Sequence, residues 1–328
     1  MYKNTEMLKV IFFNNAHIGD TFLAQPFVKN IVDYNPGLDY YIYVECNDFI
    51  YTSIIKDIKN IMNFDFFDSK SISDVTSKKE HIKHHIVEKL NNICYYYNET
   101  ENLLIINTWQ GLFNLPGIYK PNSCDLPGYI GFYNSLINEI NRVSHLNLVF
   151  NNSHDLILPT FPILNIDKFF KFRDDHVGKK LIFYYNIKAC SGQSFPIKSD
   201  IEHNEIISKL ADDPNSIIFI PYKNNDIADR ENIIFVNDMF NLTLDDTCEN
   251  VYYYILIASH CDISYYFDTG RCFLYLNSQF IKNNPEGKIR IHFACNDYYY
   301  NIFNRFFGNK PYNRLMIVHN HQDILRVI

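Results

Sequence analysis

The stretch Val10-Ile11-Phe12-Phe13-Asn14-Asn15-Ala16-His17-Ile18-Gly19-Asp20 decides the fold. Val10 to Phe13, preceded by Leu8 and Lys9, is a continuous apolar run, which is how a parallel strand covered on both faces reads. Past the loop, Thr21 to Val32 sets Phe22, Leu23, Phe27, Val28 and Ile31 at helical spacing, and Tyr40 to Val44 follows as a second strand. These segments make one β-α-β unit. The loop Asn14 to Asp20 therefore lies where a strand's carboxyl end meets a helix N-terminus, the general place for ligands in open α/β sheets.

Working outward, the spacing predicts strands at Phe64 to Phe67 and Leu103 to Asn107, with helices at His81 to Cys94 and Tyr129 to Val143. Between Asn151 and Lys180, Pro159, Pro162, several charges and Gly178 suit an interdomain connection with a short helix around Asp167 to Phe172. The alternation then restarts: strand Leu181 to Tyr185, helix Ile201 to Leu210, strand Ser216 to Pro221 and strand Ile233 to Val236. It continues with helix Cys248 to Ser259, strand Asp262 to Tyr266 and helix Thr269 to Ser278. A chain of 328 residues exceeds what one core serves. Two doubly wound domains are expected, 1–160 and 161–328, with a cleft between them as the default site.

Composition narrows the function. Hydrophobic residues make up 47% and charged residues 20%, an ordinary globular balance. The Asn-, Ile-, Lys- and Tyr-rich bias, with runs such as Tyr252-Tyr253-Tyr254 and Tyr298-Tyr299-Tyr300, fits codon drift in a low-GC genome. A net charge of −7 argues against a nucleic-acid partner, which needs clustered Lys and Arg. The eight cysteines, Cys46, Cys94, Cys124, Cys190, Cys248, Cys261, Cys272 and Cys295, show no C-x-x-C spacing, so no metal is expected on them. Met1 to Glu6 lead straight into a strand without a signal-peptide core, and no window reaches about 18 apolar residues. A cytoplasmic location is expected, compatible with the inner face of a membrane.

In the first loop, Gly19 lets backbone approach a ligand, His17 is placed to meet an acceptor or a phosphate, and Asp20 reads either as a helix cap or as a general base. With one glycine, the loop is neither a dinucleotide fingerprint nor a Walker A motif. In the second half, Asp268-Thr269-Gly270 follows a strand and opens a helix, where backbone donors and the helix end can receive a phosphate or simply make a capped turn. Trp109, with Gln110 and Gly111, ends the strand Leu103 to Asn107 and can stack on a sugar or pack beneath the cleft. His81, His84 and His85 lie among Lys78, Lys79, Lys83 and Lys89 without the H-E-x-x-H order, and read as a solvated helix face; so does the tail pair His319 and His321.

The pairing of these loops carries a resemblance. Gly19-Asp20 with Gln25-Pro26 in the following helix, Phe195-Pro196 before a helix, the aliphatic helix Ile255-Leu256-Ile257-Ala258-Ser259, and Asp268-Thr269-Gly270 resemble the heptosyltransferase-like family of GT-B glycosyltransferases, glycosyltransferase family 9-like. That group includes the lipopolysaccharide heptosyltransferases. The resemblance implies a GT-B α/β fold, two Rossmann-like domains facing across a cleft, with an acceptor-side first domain and a nucleotide-sugar-binding second domain. It implies an inverting, metal-independent transferase that uses a nucleotide-sugar donor, diphosphate or monophosphate, and no cofactor. The acceptor is then a hydroxyl of a glycan or glycolipid, in cell-surface or lipopolysaccharide-type glycan assembly, with peripheral membrane association.

Carried over residue by residue, Asp20 deprotonates the acceptor hydroxyl, with Asn15, His17, Gly19 and Trp109 on the acceptor side. Asp268, Thr269, Gly270 and Arg271 line the donor pocket, with Lys188, Ser191, Gln193 and Ser194 near the leaving phosphates. The chain departs from the family in two places. Gln193 stands where a Lys is expected, leaving Lys188 to reach back or Ser191 and Ser194 to supply neutral donors, which stabilise a diphosphate less. Arg271-Cys272-Phe273 replaces the family's Ser/Met-His, so Arg271 offers an alternative cation. Either the donor or acceptor differs, or the chain is a non-catalytic GT-B-like module that binds a nucleotide sugar, glycan or protein. A nucleotide-sugar epimerase is disfavoured by the missing glycine-rich fingerprint and Y-x-x-x-K pair.

Overall fold

The computed structural model describes residues 7–15, 18–45, 49–109, 126–151, 163–186, 196–223, 227, 230–243, 248–267, 288–295 and 313–328. The chain divides into two compact units, Met1–Pro162 and Ile163–Ile328.

In the first unit β1 (Lys9–Asn14) is central. It runs parallel to β2 (Asp39–Val44) on one side and to β5 (Leu103–Asn107) on the other. Beyond β2 lies the short parallel β3 (Ile58–Asn60), and beyond β5 the antiparallel β4 (Tyr95–Asn98), giving the order β3-β2-β1-β5-β4. Val10 to Phe13 are at most 1% exposed, because both sheet faces are covered. On one face Ile11 and Phe13 meet Ile82, Ile86 and Leu90 of α3 (Val75–Leu90). On the other, Phe12 stacks on Tyr40 at 6.0 Å and meets Phe27 of α1 (Ile18–Tyr34) edge-on at 6.3 Å. A strand that packs on both faces has no polar alternation to show, which explains the unbroken apolar run.

Two readings in this unit are corrected. Phe64 to Phe67 is not a strand: Phe67 and Asp68 take left-handed backbone (φ 56° and 58°), which no strand tolerates. Phe64 and Phe66 instead pack edge-on against Tyr41 at 5.1 and 4.7 Å, so their apolar spacing reflects a loop folded under the sheet. The helix expected at His81 to Cys94 starts earlier, where Asp74 accepts from the Ser77 N–H at 2.6 Å, and stops at Leu90, where Asn91 turns left-handed. The freed residues Asn91 to Cys94 form the turn that leads into β4. The unit also holds α2 (Phe49–Thr52) and α4 (Leu126–Ser144).

The second unit carries α5 (Asp167–Asp175) and then β6 (Lys180–Tyr184), α6 (Asp200–Ala211), β7 (Ser216–Ile220), β8 (Ile233–Phe235) and α7 (Val236–Phe240). It continues with α8 (Cys248–His260), β9 (Ile263–Phe267), β10 (Ile289–Ala294), β11 (Asn313–Ile317) and α9 (His321–Val327). Its strands are all parallel in the order β11-β10-β9-β6-β7-β8, the doubly wound order of a dinucleotide-type sheet. One core beneath it joins Ile182, Tyr184, Ile206, Ile207, Ile218, Ile220, Tyr265 and Phe293. The sequence reading does not anticipate β10, β11 and α9, and the helix expected at Thr269 to Ser278 lies outside the described residues. Both units are Rossmann-like α/β. Among the described residues no helix is long and apolar enough to cross a membrane.

Candidate functional site

In a doubly wound sheet the crevice forms where the strand order reverses, because successive connections leave to opposite sides there. In the first unit that point lies between β1 and β5. Their carboxyl ends are tied by a polar floor. The Thr108 N–H donates to the Phe13 carbonyl at 2.8 Å, its hydroxyl to the same carbonyl at 3.2 Å, and Asn14 Nδ2 donates to Thr108 Oγ1 at 3.1 Å. From below, the Tyr133 hydroxyl donates to the Thr108 carbonyl at 3.1 Å. Asn14, Asn107 and Thr108 are all buried. Buried polar groups so densely paired hold a rigid platform under the crevice.

Of the acceptor-side candidates, Asn15, Gly19 and Trp109 fall within the described residues. Trp109, half-buried, is fixed by its N–H donating to Asn107 Oδ1 at 3.1 Å while Asn107 Nδ2 donates to the Trp109 carbonyl at 3.2 Å. Asn15 directly follows β1, and its side-chain oxygen is shut off from water without a hydrogen-bond partner among the described residues. Gly19 belongs to the first turn of α1. Asp20, half-buried, is the third residue of α1, not its cap, because the helix already begins at Ile18. The carboxylate's own negative charge opposes a phosphate at the same place. His17 lies outside the described residues.

The second unit reverses between β6 and β9. Tyr185 extends the strand, its N–H donating to the Tyr265 carbonyl at 3.2 Å, and Asn186 follows, 2% exposed. Asn186 Nδ2 donates to the Tyr222 carbonyl at 2.9 Å, and its oxygen is a second buried acceptor without a partner among the described residues. The donor-side candidates Lys188, Ser191, Gln193, Ser194, Asp268, Thr269, Gly270 and Arg271 lie outside the described residues. Asn14 belongs to the loop that the sequence singles out, whereas Asn107, Thr108 and Asn186 are not expected as site residues. Their signal is the first polar residue that breaks a fully apolar strand at its carboxyl end.

The histidines of α3 are half-buried or exposed along the helix. His81 Nε2 meets the Phe67 carbonyl at 2.6 Å, and the His81 and His85 rings meet edge-on at 4.5 Å. Among the described residues no cluster of three His, Cys, Asp or Glu side chains is arranged to hold a metal ion.

No protein-family model matches the chain, and no curated protein matches it in sequence. In structure it is similar to E. coli heptosyltransferase WaaC with ADP-2-deoxy-2-fluoro heptose, at 10% identity and a TM-score of 0.47, over 97% of this chain and 98% of that one. It is similar to the E. coli ADP-heptose lps heptosyltransferase II at 11% identity and a TM-score of 0.47, over 97% and 96%. A third similar structure is a glycosyl transferase family 9 protein from Veillonella parvula, at 9% identity and a TM-score of 0.45, over 97% and 87%.

Proposed function

We propose that the chain is an inverting glycosyltransferase that moves a sugar from a nucleotide-sugar donor to a hydroxyl of a glycan or glycolipid. The observation that carries this reading is Asp20 in the first turn of the helix that follows the central strand, whose carboxyl end is tied to Thr108 through Asn14. An acid there repels a phosphate and suits a hydroxyl, which supports the first unit as the acceptor side, with the second unit proposed as the donor side. Asp20 takes the proton as the acceptor oxygen bonds to the anomeric carbon, and the bond from that carbon to the departing phosphate breaks. Neither a metal nor a cofactor enters this scheme: Lys188, Arg271 and the backbone N–H groups of Asp268-Thr269-Gly270 are the proposed cations and donors for the departing phosphate. An acceptor of glycolipid type would set the protein at the inner face of a membrane in the cytoplasm.

Gln193 in the expected Lys position favours one alternative, a binding module without turnover. Transfer and hydrolysis are measured on a panel of nucleotide sugars with wild type and Asp20→Asn. The variant should keep donor binding and lose on the order of 10²–10⁴ in rate. Full transfer by the variant removes Asp20 as base, and binding without turnover by wild type selects the module.

A further inference from the structure

The two units begin their sheets with the same phrase. Lys9-Val10-Ile11-Phe12-Phe13-Asn14-Asn15 and Lys180-Leu181-Ile182-Phe183-Tyr184-Tyr185-Asn186 both start a strand at Lys and place an Asn six positions on. Each Asn stands just past the carboxyl end of the first strand, at the point where strand order reverses. Each also keeps a side-chain oxygen sealed from water with no partner among the described residues. The large majority of buried polar groups are paired, and leaving one unpaired costs about 1–3 kcal/mol. Finding the same unmet acceptor twice, at equivalent positions of two sheets, is better explained by a shared use than by two packing accidents.

We infer that Asn186 is a ligand-recognising residue: its buried side-chain oxygen accepts a hydrogen bond from a ring hydroxyl of the bound nucleotide sugar. The amide cannot turn to present its nitrogen instead. The Tyr222 carbonyl, which only accepts, holds Nδ2 at 2.9 Å and so fixes the oxygen toward the other side. An acceptor oxygen repels phosphate oxygens, which are acceptors too, so its partner must be an O–H or N–H. In the reading above the second unit holds the nucleotide sugar, whose phosphates bring only acceptors, and the groups flanking a diphosphate are the ribose and the transferred sugar. A hydroxyl of one of these rings is the donor that Asn186 reads. The residue thereby sets specificity, distinct from the base Asp20 and from the phosphate-facing residues.

The inference rests on the donor half of the proposed function, and the test separates the two. UDP-glucose, ADP-glucose and GDP-mannose are titrated calorimetrically into the full chain, wild type and Asn186→Ala. For the tightest binder, analogues lacking one ribose or sugar hydroxyl at a time are titrated as well. In wild type, one analogue should bind at least about tenfold more weakly than its parent, the loss of a hydrogen bond of roughly 1.4 kcal/mol. In Asn186→Ala the parent should bind about tenfold more weakly, and that analogue should lose nothing further. A parent affinity within twofold of wild type in the variant overturns the inference. So does a wild-type protein indifferent to every hydroxyl, a result that stands even where the variant fails to fold. If wild type binds none of the three sugars, the donor reading falls and this inference with it. If wild type binds but does not transfer, catalysis alone falls and the Asn186 comparison still decides.

Discussion

A guanidinium can sit inside an apolar sheet only where other oxygens replace its water. Arg290 is 1% exposed, and its Nη2 donates to the Ser259 carbonyl at 3.0 Å while Nη1 donates to the Cys261 and Ile289 carbonyls at 3.3 and 3.2 Å. Ser259 and Cys261 lie at the carboxyl end of α8, so a cation there meets the negative end of the helix. Arg290→Leu strips three carbonyls of a charged donor, and we expect a loss on the order of 3 kcal/mol, read from urea unfolding. A loss under about 1 kcal/mol would show that the carbonyls re-pair without it. Two residues on, His292 is 2% exposed, and burial pushes its pKa down to about 4. Below pH 6.5 the unfolded chain takes up this proton while the folded chain does not. Stability therefore falls as pH drops from about 6.5 toward 4, by at most on the order of 3 kcal/mol from this group. Unfolding free energies at about pH 7.5 and about pH 5 should differ less in His292→Leu than in wild type; an unchanged difference assigns the slope elsewhere.

At the scale of elements, α6 is written in its sequence. Ser199 caps it, accepting from the Glu202 N–H at 3.3 Å, and Glu202 accepts in return from the Ser199 N–H at 3.1 Å, a reciprocal box. Helix α9 docks on this end: His321 Nδ1 lies 3.0 Å from Glu202 and Nε2 3.2 Å from Glu205. Burial raises the Glu202 pKa, but the Lys198 and Ser199 N–H groups and His321 outweigh it, and the net direction is downward. This contribution is present above the ordinary carboxylate range and is lost as pH falls through the depressed value. Ser199→Ala should cost about 1 kcal/mol and weaken the hold on α9, seen as faster amide exchange in His321–Val327; unchanged exchange there would uncouple the helices. The expected span of α6, Ile201 to Leu210, misses by one residue at each end because cap and period agree. In β10, Ile-Arg-Ile-His-Phe-Ala alternates as a strand with one polar face would, yet Arg290 and His292 are both buried, which the alternation does not announce. The Phe64 to Phe67 error has the opposite cause, apolar side chains that fill a core from irregular backbone. The crevice floor between Asn14 and Thr108 stays hidden for a third reason. A hydrogen bond joining residues 94 apart depends on strand order, which one sequence's local pattern does not carry.

At the scale of the molecule, each unit holds a complete answer to its own burial problem. The second sheet has six parallel strands, with Ile207 and Leu210 of α6 and Ile324 of α9 covering Ile182, Ile218 and Phe293 in one core. Among the described residues, nothing in that core is drawn from the first unit, whose own cluster joins Ile11, Phe13 and Ile105 of its strands to Ile82, Ile86 and Leu90 of α3. A unit with a closed core of this kind meets the physical requirement for folding alone. Residues 163–328 expressed by themselves should unfold cooperatively in urea and give dispersed amide resonances. If the second unit is the donor side, this fragment should also bind the wild-type chain's tightest nucleotide sugar with an affinity within about tenfold, while transferring nothing, since Asp20 lies in the other unit. A fragment that is collapsed, dye-binding and without dispersion would show that the second unit needs the first to fold. A folded fragment that has lost all nucleotide-sugar affinity would move donor recognition off the second sheet, and would take the division of labour between Asp20 and Asn186 with it.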